Sequence, residues 1–205
     1  MIAILLNDAS FEQDIRELLM AFYPGETFTH KEEEAGEADL IVRGVRDGNS
    51  FSLDVTPVKK EAVHFALIYP DFSNRFETKN EIKQTLYRLL SAQTGRELPW
   101  GTLTGIRPTK IALTKLYDGW TDEQIETYMR ETYFTSKEKI DLSIDVAERE
   151  RRLLSTIDYE NGYSLYVGIP FCPTTCLYCS FTSYPLVSWK NRVDAYLDAL
   201  EKEID

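Results

Sequence analysis

Apolar residues recur along this chain in two rhythms, and the changes of rhythm divide it. The run from Ile2 to Leu6 is short and continuous, which suits a buried strand. Phe11, Ile15, Leu18, Leu19 and Phe22 then fall three and four apart, a helical stripe that Pro24-Gly25 stops. Beyond an acidic loop, Leu40-Ile41-Val42 leads through Arg46 into Asp47-Gly48-Asn49, a hairpin turn signal. On its far side Phe51, Leu53 and Val55 alternate with Ser52, Asp54 and Thr56, the period of a strand with one wet face. Val63, Phe65, Leu67 and Tyr69 alternate again and predict a third strand, although a helix from Lys59 fits the same stretch. Ile82, Leu86, Leu89 and Leu90 mark a helix over about residues 78–93. Residues 1–99 are therefore expected to form a small α+β domain, an antiparallel sheet covered by helices.

Residues 100–158 read as a helical segment. Pro108 suits the first turn of a helix running to Tyr117, because a proline there gives up an N–H that has no partner anyway. Thr121 with Gln124 forms a capping-box pattern, and Thr135 with Glu138 repeats it ahead of a longer helix to about Leu154. Residues 159–205 change character again. Asn161-Gly162 is a turn, Tyr163 to Ile169 reads as a strand, and Pro170 ends it. Val193, Tyr196, Leu197, Leu200 and Ile204 then mark an amphipathic helix with Ser188 as its expected N-cap. Between strand and helix lies a loop holding every cysteine of the chain.

Composition narrows the function classes. With 205 residues, 43% hydrophobic and 28% charged, the chain has the make-up of an ordinary folded domain or two. No apolar run is long enough to span a bilayer, and the N-terminus lacks the basic and apolar regions of a secretory signal, so the expected compartment is the cytoplasm. Net charge is −11, and the densest run, Lys31 to Asp39, is acidic, which argues against a nucleic-acid partner because phosphate binding needs a basic face. Arg107 and Lys110 flank a helix start, where backbone N–H groups favour anions, and this is a candidate receptor for a carboxylate or a partner.

Cys172, Cys176 and Cys179 are spaced Cys-x3-Cys-x2-Cys within eight residues. An odd, clustered set does not suit a disulfide framework and points to metal or cluster chemistry. Thiolates suit both zinc and iron–sulfur clusters. A structural zinc site needs a fourth ligand, for which His30 and His64 are the available histidines. Three thiolates on one short loop suit a [4Fe–4S] cluster instead, with one iron left open to an exogenous ligand.

The loop resembles the signature of radical S-adenosylmethionine (SAM) enzymes, with Tyr178 as the aromatic before the last cysteine. The wider run Tyr166-Val167-Gly168-Ile169-Pro170-Phe171-Cys172, continuing through Cys179-Ser180-Phe181-Thr182-Ser183, is similar to the oxygen-independent coproporphyrinogen III dehydrogenase family. Leu103-Thr104-Gly105-Ile106-Arg107-Pro108-Thr109-Lys110 resembles the HemZ-type branch. The resemblance implies that Cys172, Cys176 and Cys179 hold a [4Fe–4S] cluster whose open iron binds SAM, with Tyr166 and Tyr178 as SAM contacts. It implies a 5′-deoxyadenosyl radical that starts oxidative decarboxylation of coproporphyrinogen III to protoporphyrinogen IX in haem biosynthesis. The implied partners are a porphyrinogen and an electron donor such as flavodoxin or ferredoxin.

Two positions depart from the pattern. Gly168 stands where better-known members have a histidine, and Phe181 where they have a further cysteine. The run Cys179-Ser180-Phe181-Thr182-Ser183 looks more like the haem-chaperone relatives, so haem binding on the same scaffold is the alternative. The resemblance also implies that residues 159–205 are the first βα unit of a radical-SAM (β/α) barrel. On that reading the chain is an N-terminal fragment with a truncated barrel, expected to be inactive alone.

Overall fold

In a computed structural model, which describes residues 1–58, 63–105, 107–158 and 161–204, the chain divides into two units, Met1–Ile157 and Asp158–Asp205. The first unit runs β1 (Ile2–Leu6), α1 (Glu12–Phe22), β2 (Phe28–Thr29), β3 (Leu40–Asp47), β4 (Ser50–Pro57), β5 (His64–Ile68) and α2 (Arg75–Thr94). Three helices follow: α3 (Thr109–Tyr117), α4 (Asp122–Tyr133) and α5 (Lys137–Leu154). The helix considered from Lys59 begins outside the described residues.

The sheet has the order β2-β1-β3-β4-β5 and is mixed, not antiparallel as expected. β1 pairs in parallel with β2 and β3, because α1 and then the acidic segment return the chain to its starting edge before each new strand. The tight turn at Gly48 (φ +56°) instead reverses direction, so β3 and β4 run antiparallel, with Val42 opposite Val55. Alternation puts Phe51, Leu53 and Val55 of β4 in the core. There they meet Ile15 and Leu19 of α1 and Leu86 of α2. Burying one such side chain contributes about 1.5–3 kcal/mol, so this face holds the unit together.

β5 has the opposite phase to its apolar residues. Its register sets Ile68 opposite Phe51 and Ala66 opposite Leu53, which turns Phe65 and Leu67 to the other face, 61% and 47% exposed. The acidic segment is not a plain loop either. Residues Glu32–Glu37 form 3-10 turns that set Ala35 and Ala38 against Ala3 and Leu5 on the second face of β1. Their carboxylates remain outside, where Glu32 pairs with Arg43 and Glu34 with Lys31.

The three later helices share a smaller core built on Leu113, Leu116, Ile125, Met129 and Ile140. Thr121 and Gln124 form the expected reciprocal capping box at α4. At α5 the cap lies one residue later than expected. Ser136, in extended conformation, accepts from Lys139 N, while Thr135 is turned inward with an unpartnered hydroxyl. Left-handed Phe134 (φ +58°) ends α4 and produces that offset.

The second unit contains β6 (Phe171–Cys172), β7 (Tyr184–Pro185), α6 (Leu186–Trp189) and α7 (Val193–Ile204). Residues 163–169, expected as a strand, carry no ladder. A parallel strand needs a neighbour, and among the described residues of this unit none runs beside it. Ser188 lies inside α6, so it is not the N-cap of the last helix. α7 spans the expected amphipathic stretch, but none of the unit's described residues is buried.

Candidate functional site

The cysteine loop is shaped by short-range devices. Phe171 and Cys172 pair in parallel with Tyr184 and Pro185, and Tyr184 N donates to Pro170 O at 2.8 Å. The Phe171 ring stands edge-on to Tyr196 of α7 at 5.4 Å between centroids, and the Tyr196 hydroxyl donates to the Gly168 carbonyl. Helix and loop entry are thereby tied together. Further on, Cys179 N donates to Cys176 O at 3.0 Å, closing a four-residue turn. Leu177 and Tyr178 occupy the corner of that turn, which is why both are fully outside, Tyr178 at 90% exposure.

A cleft of about 430 Å³ opens beside this loop, walled by Tyr166, Gly168, Cys172, Cys179, Phe181 and Tyr196 among others. Among the described residues no charged side chain lines it. The structure thus brings Cys172, Cys179 and Tyr166 to one cavity. Cys176 and Tyr178, the other two expected site residues, lie outside its wall. All three thiols are free; Cys172 and Cys179 are half-buried and Cys176 is exposed. Among the described residues no three cysteine, histidine or acidic side chains stand close enough to hold a metal ion. His30 sits 3.5 Å from Glu12, and His64 lies in β5 beside Val55.

The donor set nevertheless fits an iron–sulfur cluster in its chemistry. Three thiolates in one short loop are soft ligands, and a cleft without fixed charge leaves their negative charge to be met by iron. Ser183 on the same wall has a buried hydroxyl with no partner, a polar atom available to a bound group. Gly168 also belongs to this wall. A Cβ built there would stand 3.4 Å from Tyr166 Cε1, ordinary contact, so the position tolerates a side chain and its glycine leaves space beside the tyrosine. Spacing in the sequence pointed to the cysteines, whereas nothing in it distinguished Ser183 from other loop serines.

Arg107 and Lys110 belong to the first unit. Arg107 is left-handed (φ +56°) and its guanidinium bonds Glu150 at 2.9 Å, while Lys110 lies in the first turn of α3. Both line a second cavity, in which Lys83 is almost wholly buried. Lys83 went unread in the sequence although it stands four residues after Lys79 and three before Leu86, on the stripe of α2 that turns inward.

Over 153 residues, 73% of this chain, the sequence is 35% identical to the oxygen-independent coproporphyrinogen-III oxidase-like protein HemZ of Bacillus subtilis (strain 168). The match covers 30% of that protein, so the chain spans about a third of its length. The resemblance to the HemZ-type branch therefore holds over most of this chain. No protein-family model matches, and no solved structure matches.

Proposed function

We propose that this chain is the N-terminal part of a radical-SAM coproporphyrinogen dehydrogenase that converts coproporphyrinogen III to protoporphyrinogen IX in haem biosynthesis. The observation that carries the reading is three free thiols at Cys-x3-Cys-x2-Cys spacing, two of them on one uncharged cleft with Tyr166. The likeness to an oxygen-independent coproporphyrinogen-III oxidase-like protein supports the substrate class.

In this proposal Cys172, Cys176 and Cys179 hold a [4Fe–4S] cluster, and Tyr166 and Tyr178 contact SAM. Bound together, cluster and SAM supply the one-electron chemistry that begins hydrogen abstraction from a propionate side chain. The chain's own residues orient and shield. Tyr196 holds the Gly168 carbonyl and so fixes the approach of Tyr166 to the cleft. Ile169 and Pro170 give the cleft an apolar wall beside Cys172 and Cys179. Cys176 must move inward with its turn to join its two partners, a movement that a single backbone bond at Cys179 opposes only weakly.

A flavodoxin or ferredoxin is the proposed electron donor, and the cytoplasm the proposed compartment. Among the described residues no helix is long and apolar enough to cross a membrane. Turnover is assigned to the full-length protein and none is expected from these 205 residues by themselves, since the described residues of the second unit form only two two-residue strands.

Gly168 and Phe181 line the cleft and favour a second reading, haem binding on the same scaffold. Anaerobic assay of the full-length protein with iron, sulfide, SAM and a reductant separates them. Protoporphyrinogen formed from coproporphyrinogen III supports the dehydrogenase. Tight haem binding without turnover supports the chaperone and refutes the first reading.

A further inference from the structure

The first unit contains a cavity of about 420 Å³ between α1, α2 and the start of α3, within the range that takes a small molecule. Lys79, Lys83, Arg107 and Lys110 line it, against Asp14 and Glu17 as the only carboxylates among the described residues. In a chain of net charge −11, four cations gathered on one cavity run against the general charge.

Lys83 is the unusual member. It is 7% exposed, yet its ammonium donates one hydrogen bond among the described residues, 2.8 Å to Thr104 Oγ1. The Thr104 hydroxyl in turn donates to Glu17 Oε2 at 2.8 Å. An ammonium has three donors, so two remain for something else. Burial lowers the pKa of this amine, with Asp14 and Glu17 partly restoring it. A buried charge without full hydrogen bonding is costly, and a bound anion removes that cost.

Asn80, one turn before Lys83 on α2, is 9% exposed and lines the same cavity. Among the described residues its amide has no hydrogen-bond partner. No side chain caps α3 either, whose first turn carries Lys110. Phe76, Leu103 and Ile111 supply an apolar wall beside these groups.

We propose that this cavity binds a small organic anion, whose carboxylate or phosphate oxygens are held by Lys83, Asn80 and Lys110 and whose apolar body lies on Phe76 and Ile111. Lys79 is kept near Asp14 at 4.0 Å and Arg107 by Glu150, so these two tune the field and are not the direct ligands. The site contains no cysteine and stands whether or not the cluster proposal does.

Calorimetric titration of the 205-residue chain at low salt tests this with phenyl phosphate, phthalate and neutral benzyl alcohol as probes. At least one dianion is expected to bind, the alcohol is not, and amide shifts should centre on Asn80 and Thr104. The stronger dianion tells phosphate from carboxylate. Lys83→Met and Lys110→Gln are each expected to weaken binding about tenfold, the scale of one charge-assisted hydrogen bond. If Lys83→Met does not fold, the exposed Lys110→Gln decides. Absence of binding by both dianions, shifts centred elsewhere, or wild-type affinity in every folded variant would overturn the proposal.

Discussion

Replacing Gly101 by alanine should damage the first unit far more than the same change at Gly95, although both glycines are left-handed. Gly101 has φ +56° and Gly95 φ +68°, so each alanine carries a similar dihedral strain, about 1 kcal/mol. Around Gly95 a new Cβ meets nothing within 4 Å. At Gly101 it would lie 1.9 Å from the Tyr133 carbonyl oxygen and 2.6 Å from Phe134 C, both backbone atoms that cannot swing aside. Separating them pulls Thr102 from Tyr133 O, which accepts its N–H at 2.7 Å and its hydroxyl at 3.3 Å. Thr102 is 2% exposed, so water does not replace those bonds, and their loss adds about 2–3 kcal/mol. Gly95→Ala should therefore cost about 1 kcal/mol and Gly101→Ala about 3–4 kcal/mol. For a unit of this size that separates the melting temperatures by roughly 4–12 °C. Paired urea and thermal melts followed by helical circular dichroism measure the difference. Two variants within about 0.5 kcal/mol of each other would refute the steric argument.

Other expectations rest on separate contacts. Thr121→Ala removes half of the α4 capping box and should cost about 1 kcal/mol in urea denaturation. Phe51→Ala empties a fully buried site against Phe11 and should cost about 3–5 kcal/mol, with a loss below 1 kcal/mol contradicting its core position. Glu17 gives a pH test. Burial raises its carboxyl, but hydrogen bonds from Gln13 and Thr104 and the charges of Lys83 and Lys79 outweigh it and hold the pKa below the usual glutamate value. A depressed carboxyl contributes stability that is complete above the unfolded value and is lost as pH falls through the folded one. Glu17→Gln should thus flatten the acid limb of stability as pH falls below the usual glutamate range, and an unchanged limb in pH-dependent melts would count against the Thr104–Glu17 link.

Local periodicity was enough to read the elements whose partners are close in sequence. The stripe Phe11, Ile15, Leu18 became α1, the alternation from Phe51 became β4, and Thr121 with Gln124 became a working cap. Long-range pairing was not legible. Whether β1 has parallel neighbours depends on how the acidic segment folds back, and the phase of β5 depends on its register with β4. Residues 163–169 show the same limit, since an apolar run becomes a strand only beside another strand. At the cysteine loop, spacing identified the thiols but not which would share a wall, because that follows from the Cys176–Cys179 turn. The Lys83 cavity was hidden for a related reason: Asn80, Lys83, Thr104 and Lys110 meet only once α2 and α3 are placed.

Whether one cluster binds all three thiols is decided by iron analysis after anaerobic reconstitution of this chain. About four irons per chain are expected, lost in Cys172→Ala, Cys176→Ala and Cys179→Ala alike and retained in His30→Ala and His64→Ala. Full iron content in Cys176→Ala, or a single metal ion that depends on either histidine, would rule out a cluster held by the three thiols.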